Sequence, residues 1–554
     1  MADPFYITTA IHYPNGRPHI GHAYEMIAAD AIARFQRQAG RDVLFQTGTD
    51  EHGLKMAQAA RDRGIPVRAF ADEMSSHFSV MADRLGISYD RFIRTVDTDH
   101  YAASRAIWQA MADSGDLYLD RYEGWYSVRD EAFYDESELT GEGDDRRSPQ
   151  GTPVEWTAEE TWFFRLSKYQ QPLLDLYAAN PDFIRPESRR NEVMRFVEGG
   201  LKDLSVSRTS FDWGVPVPDS PGHVMYVWVD ALTNYLTGIG YPDMTGDKAK
   251  FWPADIHLIG KDIVRFHAVY WPAFLLSANI PLPKSVFGHG FLLTRGEKMS
   301  KSVGNVVDPM ALANAFGVDA LRYFFLREVS FGQDGSYSPE AIVTRVNAEL
   351  ANSFGNLAQR TLSFIAKNLE GVFPSVGTGQ EADGMLIEEV IVACAGFKAG
   401  FTDLALSQGI EAWMRGVFAC NQYIDAQAPW ALRKTDPDRM HAVLRTLVRA
   451  IRMLAIAILP VVPDSAGKVL DQIGAVERDH AAIDDDRWYD RVAASDFRIT
   501  PPSPSSPVSN CPRRPDARRQ PLPPQLQGAR RGSASRTCPG ASAGRDGDAQ
   551  HLDP

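Results

Sequence analysis

Cysteine is scarce in this chain. There are four in 554 residues, none before Cys394, and no two are spaced as CxxC. That excludes a disulfide framework and a zinc knuckle built on paired thiolates, and it suits a reducing compartment. Long apolar runs are missing too. The strongest, Met453 to Val462, is about half what a membrane-spanning helix needs and is cut by Pro460, so no membrane partner is expected. No basic or apolar leader precedes the strand-like segment at Phe5, so no signal peptide is expected. Positive charge is in deficit, with 58 Lys and Arg against 71 Asp and Glu and a formal net charge of -13. A surface attractive to polyanions throughout is thereby excluded, although local basic patches on an acidic body still bind them. Lysine is absent after Thr500. Residues 501–554 are rich in Pro, Ser, Gly and Arg without apolar periodicity. Such a segment cannot bury enough surface to fold and reads as a disordered tail, a basic RNA-binding arm being the alternative.

What remains is the composition of a folded, soluble protein, 44% hydrophobic and 23% charged, and too long for one core. Phe5 to Ile11 reads as a buried strand. A loop with Pro14, Asn15, Gly16 and Pro18 follows, then a helix from His19 to Gln38 closed by Gly40, then a strand from Asp42 to Thr47. Strand, helix, strand is a βαβ unit, whose ligands sit at the carboxyl ends of the strands. From about Leu117 the pattern changes to aromatics, hairpin-like turns and charged loops, which reads as an insertion. Strands are expected again at His223 to Val229, Asp255 to Ile259 and Val286 to Leu293. Amphipathic helical patterns dominate from Ala341. There Leu444, Leu447, Val448 and Ile451 form an apolar face, and Arg445, Arg449 and Arg452 a basic one.

Two short motifs carry the chemistry. His19-Ile20-Gly21-His22 places two imidazoles three residues apart at a helix start, where amide N–H groups and the dipole favour phosphate. Gly21 leaves room for a flat base or sugar. Lys298-Met299-Ser300-Lys301-Ser302 places two ammonium groups three apart after a strand and Gly296. Separately, they could be a helix start with surface histidines and a solvated basic loop. Together, in this order, they are the parts that grip a triphosphate from two sides.

These motifs resemble the signature of class I aminoacyl-tRNA synthetases. Ile11, the TDEHG run at Thr49 to Gly53, YVWVDALTNY at Tyr226 to Tyr235 and GKDIVRFH at Gly260 to His267 narrow the resemblance to the methionyl-tRNA synthetases, over about the first 500 residues. The implied fold is α/β, a Rossmann-type parallel-sheet catalytic domain with an inserted connective domain, followed by an α-helical bundle. The expected division is 1–116 and 223–292 for the two catalytic halves, 117–222 for the insertion, 293–340 for the KMSKS loop and linker, 341–500 for the anticodon-binding bundle and 501–554 for the tail.

The resemblance also implies the site. Methionine would lie among Ile11, Tyr13, Trp228, Ala231, Tyr235, Ile263 and His267, with Asp50 on its ammonium group. On residue type alone, Trp228 and Tyr235 are equally ordinary core aromatics, whereas Asp50 ends a parallel strand, where ligands bind. His19 and His22 would hold the ATP phosphates, and Lys298 and above all Lys301 the leaving pyrophosphate. Asp262 would hold the ribose, and the backbone near Leu292 the adenine. Magnesium is expected on the phosphates rather than in a protein cage. Asn356 and Arg360, one helical turn apart, with Pro429 and Trp430, match anticodon-reading positions. A capping Asn, a surface Arg and a core Trp are the alternatives. The stretch Trp125 to Tyr134 lacks the paired cysteines of many relatives, so no protein-bound zinc is expected. Trp125, Tyr126, Phe133, Tyr134 and Trp156 would hold the insertion together by packing. No dimerisation or additional tRNA-binding module is recognisable, and no editing-sized insertion exists. A cytoplasmic monomer that charges a methionine tRNA, and that activates homocysteine to some extent, is the implied whole.

Overall fold

A computed structural model of the protein describes residues 2–127, 132–294, 297–298, 306–485 and 487–501. Six strands form one parallel sheet in the spatial order Arg91–Arg94, Asp42–Thr49, Pro4–His12, Ile256–Gly260, Val286–His289, Ile184–Arg185. The two central strands are buried almost throughout, as parallel strands covered on both faces must be. The sequential order reverses between Pro4–His12 and Ile256–Gly260. A crevice opens beyond the carboxyl ends of such a pair, and it is where open α/β sheets take their ligands.

The helix Ile20–Gln38 follows the first strand and is buried on every side from Ala23 to Ala33. A helix apolar all round belongs in the middle of a protein. It lies against the sheet on one side and reaches the bundle on the other, where the Gln38 amide donates to the carbonyls of Ile456 and Arg478. It buries two carboxylates, Glu25 and Asp30, and Asp30 meets Arg322 at 2.7 Å with both side chains fully buried. Arg322 also donates to the carbonyls of Val461 and Pro460, so a single guanidinium joins the catalytic helix to the end of the long bundle helix Pro437–Ile458. Burial works against the Asp30 charge. The Arg322 and Arg34 guanidiniums and two bonds from Ser88 outweigh it and hold the carboxyl below its ordinary range.

The insertion builds an antiparallel sheet in which Leu117–Ser127 and Glu155–Phe164 pair along their length. Trp125 sits opposite Trp156, edge to face at 5.4 Å, with Arg146 over the Trp125 ring. Tyr126 is buried, but Trp156 remains 55% exposed, so it caps the hairpin rather than filling a core.

Two expectations are corrected. His223 to Val229 is not a strand: only Val224–Met225 pairs, and Val227–Thr237 is a helix. A short, mostly apolar run has no period to separate a buried strand from a buried helix, and here the helix wins because Val229, Leu232 and Leu236 face the core one turn apart. Val286 to Leu293 is two strands. The first ends at His289, and Leu292–Thr294 joins a separate small sheet. The break falls at Gly290, where a Cβ would come within 2.2 Å of the Gln333 backbone. On Pro437–Ile458 the basic face expected from the sequence packs against aromatics. Arg445 lies over Tyr489 at 3.9 Å and Arg452 over Trp488 at 4.6 Å, and Arg452 is buried. The C-terminal segment covers these guanidiniums, and their planar faces suit aromatic contact.

Candidate active site

A cavity of about 470 Å³ occupies the switch point of the parallel sheet. Its walls come from chain segments far apart in sequence. The first strand's end supplies Ile11, His12 and Tyr13, and the second strand's end supplies Asp50. The helix start gives His19, Gly21 and His22; the helix Val227–Thr237 gives Trp228, Ala231 and Tyr235; and the turn after Ile256–Gly260 gives Asp262, Ile263 and His267. Leu292 closes one side. All eight residues assigned to methionine from the sequence therefore line one space, together with the two histidines, Gly21, Asp262 and Leu292. Lys298 lies in the short strand Glu297–Lys298, and Lys301 lies outside the described residues.

Local structure sets each group. One extra residue in the first strand, between Thr8 and Ile11, shifts its register against the second. Such a bulge re-aims the side chains beyond it, here those that reach the cavity. His19 is the N-cap of its helix. Its Nδ1 accepts from the Gly21 amide at 3.1 Å, and Nδ1 of His22 accepts from the His19 amide at 3.1 Å. The two rings stack at 3.8 Å. A Cβ at residue 21 would come within 2.9 Å of the His19 ring, so glycine is what lets that ring fold back over the helix start. Two of the amides expected to face phosphate are thus taken by imidazole nitrogens. Each neutral ring that accepts at Nδ1 keeps its hydrogen on Nε2, so the helix end presents imidazole donors in place of amide donors.

The apolar end is built on aromatics. Trp228 stacks on Phe266 at 3.8 Å with the planes 5° apart. His267 sits in a π-helical turn, Phe266–Tyr270, where Nδ1 donates to the Ile263 carbonyl at 3.0 Å. Burial pulls its pKa down to about 4, and the Ile263 bond only partly offsets this. A neutral ring donating from Nδ1 accepts at Nε2, so the Tyr235 hydroxyl at 2.7 Å donates to it. Asp50 is nearly buried, and its amide donates to the His12 carbonyl at 2.9 Å.

Several lining residues escaped the sequence reading: His12, Tyr24, Glu25, Lys55, Asn234 and His289. His289 Nε2 lies 2.8 Å from a Glu25 oxygen, both side chains being buried. Burial disfavours the His289 charge, but Glu25 outweighs it and raises the pKa. Signals for both existed. Glu25 falls one helical turn after His22, and His289 ends a parallel strand.

The candidate anticodon residues lie in the helical part. Asn356 and Arg360 are one turn apart on Asn356–Asn368, with Asn356 exposed. The Arg360 guanidinium lies 5.3 Å over the Trp430 ring and pairs with Asp425 at 2.5 Å. Pro429 is the buried first residue of the helix carrying Trp430, which is 48% exposed and so not a core residue.

The model of the tRNA synthetases class I (M) family matches residues 5–148 and 143–362, and that of the anticodon binding domain of methionyl tRNA ligase matches 373–502. The chain belongs to the class I methionyl-tRNA synthetases. Relatives within this family include the methionine–tRNA ligase of Brucella suis biovar 1, 59% identical over 85% of this chain and 91% of its own length. That of Mycobacterium tuberculosis strain H37Rv is 57% identical over 87% and 94%. The solved structure of the M. tuberculosis methionyl-tRNA synthetase in complex with methionyl-adenylate superposes with a TM-score of 0.85 at 55% identity, covering 90% of this chain and 97% of that one. Its apo form gives 0.79 at 51% identity. The reaction of a methionyl-tRNA synthetase is the ATP-dependent activation of methionine followed by its transfer to tRNA.

Among the described residues, no group of three or more His, Cys, Asp or Glu could hold a metal ion, and no helix is long and apolar enough to cross a membrane.

Proposed function

We propose that the cavity takes methionine at its Trp228–Tyr235 end and ATP at its His19–His22 end. The observation that carries this is the meeting of both residue sets at one sheet switch point. The methionine side chain makes almost no hydrogen bonds, so the wall of Ile11, Tyr13, Trp228, Ala231, Tyr235, Ile263 and His267 selects it by shape and sulfur–aromatic contact. Asp50 accepts from the ammonium group, a charge-assisted bond.

The methionine carboxylate is ionised at neutral pH, so the first step needs no general base. A carboxylate oxygen attacks the α-phosphorus, a new O–P bond forms, the bond to the bridging oxygen breaks, and pyrophosphate leaves with that electron pair. Catalysis is then positioning and charge stabilisation. His19 and His22 donate from Nε2 to the phosphates. Lys298 and Lys301 neutralise the leaving pyrophosphate, Lys301 foremost. Gly21 leaves ATP room beside the helix start, Asp262 holds the ribose, and backbone at Leu292 meets the adenine. Magnesium enters with ATP as part of the substrate, and no structural zinc is assigned. In the second step a ribose hydroxyl at the tRNA 3′ end attacks the methionyl carbonyl and AMP leaves. Asn356, Arg360, Pro429 and Trp430 read the anticodon, Trp430 by stacking on an unpaired base. The chain acts as a monomer in the cytoplasm.

The test is Lys301→Ala. Methionine-dependent ATP–pyrophosphate exchange should fall by roughly a hundredfold or more, as for loss of one charge-stabilising group, while methionine affinity by equilibrium dialysis stays within about twofold. Equal exchange rates in variant and parent would remove Lys301 from the mechanism.

A further inference from the structure

Behind the methionine wall lies a buried cluster that the reaction as described does not use. Asp230, on the helix Val227–Thr237, is fully buried. Its Oδ2 lies 2.6 Å from Nδ1 of His52, and its Oδ1 lies 2.7 Å from Nε2 of His100. None of the three lines the cavity. An ionised carboxylate only accepts, so both nitrogens facing it carry hydrogen. Burial opposes the Asp230 charge, yet the two imidazoles overcome it and bring the pKa down to about 2. The outer side of His52 is closed by the Tyr101 hydroxyl, 3.1 Å from Nε2.

Sequence position gives this cluster its meaning. His52 is two residues past Asp50, and Asp230 stands between Trp228 and Ala231. The turn between Asp50 and His52 is held elsewhere as well. Arg94 grips the Glu51 carboxylate at 2.7 and 2.6 Å, and the Trp213 indole donates to the Glu51 carbonyl at 2.6 Å. The turn carrying the ammonium-binding carboxylate is therefore one rigid body, and the helix carrying the side-chain wall is another. The charged contact between His52 and Asp230 joins them.

We propose that His52 and Asp230 are positioning residues that fix the separation between Asp50 and the Trp228–Ala231 wall, and thereby set the length of amino acid the site accepts. This rests on the reading of Asp50 as the ammonium partner. An amino acid spans that separation with its own backbone and side chain, so a change in it discriminates by chain length. ATP, held by other elements, is indifferent. Displacement of a reacting group by about 1 Å costs up to a hundredfold, and an amide at residue 230 keeps the shape while losing the charge and one acceptor.

Asp230→Asn should raise the methionine KM in exchange by about tenfold or more, leave the ATP KM within about twofold, and narrow the preference for methionine over the shorter homocysteine. Tyr101→Phe, which removes only a hydroxyl from a half-buried ring, should move the same quantities in the same direction by about two- to fivefold. Should Asp230→Asn fail to fold, Tyr101→Phe decides alone. Asp50→Asn is measured beside them. Unchanged methionine KM in Asp50→Asn would overturn the underlying site reading. A raised methionine KM in Asp50→Asn, with parent-like values in both other variants or with both substrate KMs moving together, would overturn the proposal itself.

Discussion

At the scale of single residues the site is defined by which atom of a ring carries a hydrogen. His19 and His22 accept at Nδ1 from backbone amides, and His267 donates from Nδ1 to the Ile263 carbonyl, so each ring has one tautomer. The Tyr235–His267 pair shows what this is worth. Tyr235→Phe removes the donor and leaves His267 Nε2 buried without a partner, a penalty of about 1–3 kcal/mol. Chemical denaturation should show that loss, and His267→Leu in the same background should restore much of it. No loss in the single variant would mean that the bond contributes nothing. These residue identities were legible in the sequence through motif spacing, but their tautomers were not. A one-dimensional pattern does not show that His19 folds onto Gly21. Nor does it show that Glu25 and His289, 264 positions apart, share a hydrogen bond.

At the scale of elements the strongest sequence signals were those with a period or a stop. The helix after His19 and the strand at Asp42 emerge with nearly the expected ends, because helical spacing, a cap and Gly40 mark the one and the start of the other. The apolar run at His223 to Val229 had no period, and tertiary packing decided it. The basic stripe of Pro437–Ile458 was legible but its cover was not, because the aromatics that lie on it, Trp488 and Tyr489, come from a segment dozens of residues later. Trp430 and Arg360 meet across two helices, and their exposure separates a binding platform from a core contact. Trp430→Ala should raise the tRNA concentration for half-maximal charging by about tenfold, the value of one base stack, with exchange nearly intact. Loss of both activities together would make Trp430 a structural residue.

At the scale of the whole molecule the chain carries a set of histidines kept neutral by burial. His267 and His480 are pulled down to about 4, and His12 and His257 are lowered as well. Below pH 6.5 the unfolded chain takes up protons at these positions and the folded one does not, so stability falls as pH drops from about 6.5 towards 4. His289 runs the other way: its raised pKa gives stability below pH 6.5 that is lost as pH rises through the folded value. Four against one, the net expectation is a midpoint temperature that declines on the acid side, and a flat profile from pH 6.5 to 4 would refute it.

The central claim is that one cavity at the sheet switch point selects methionine and activates it with ATP. Amino-acid-dependent ATP–pyrophosphate exchange over the full panel of amino acids tests it most directly. Exchange with methionine, weak exchange with homocysteine, and none with the others is the predicted result. Faster exchange with any other amino acid would contradict the assignment of Asp50 and the Trp228–Tyr235 wall.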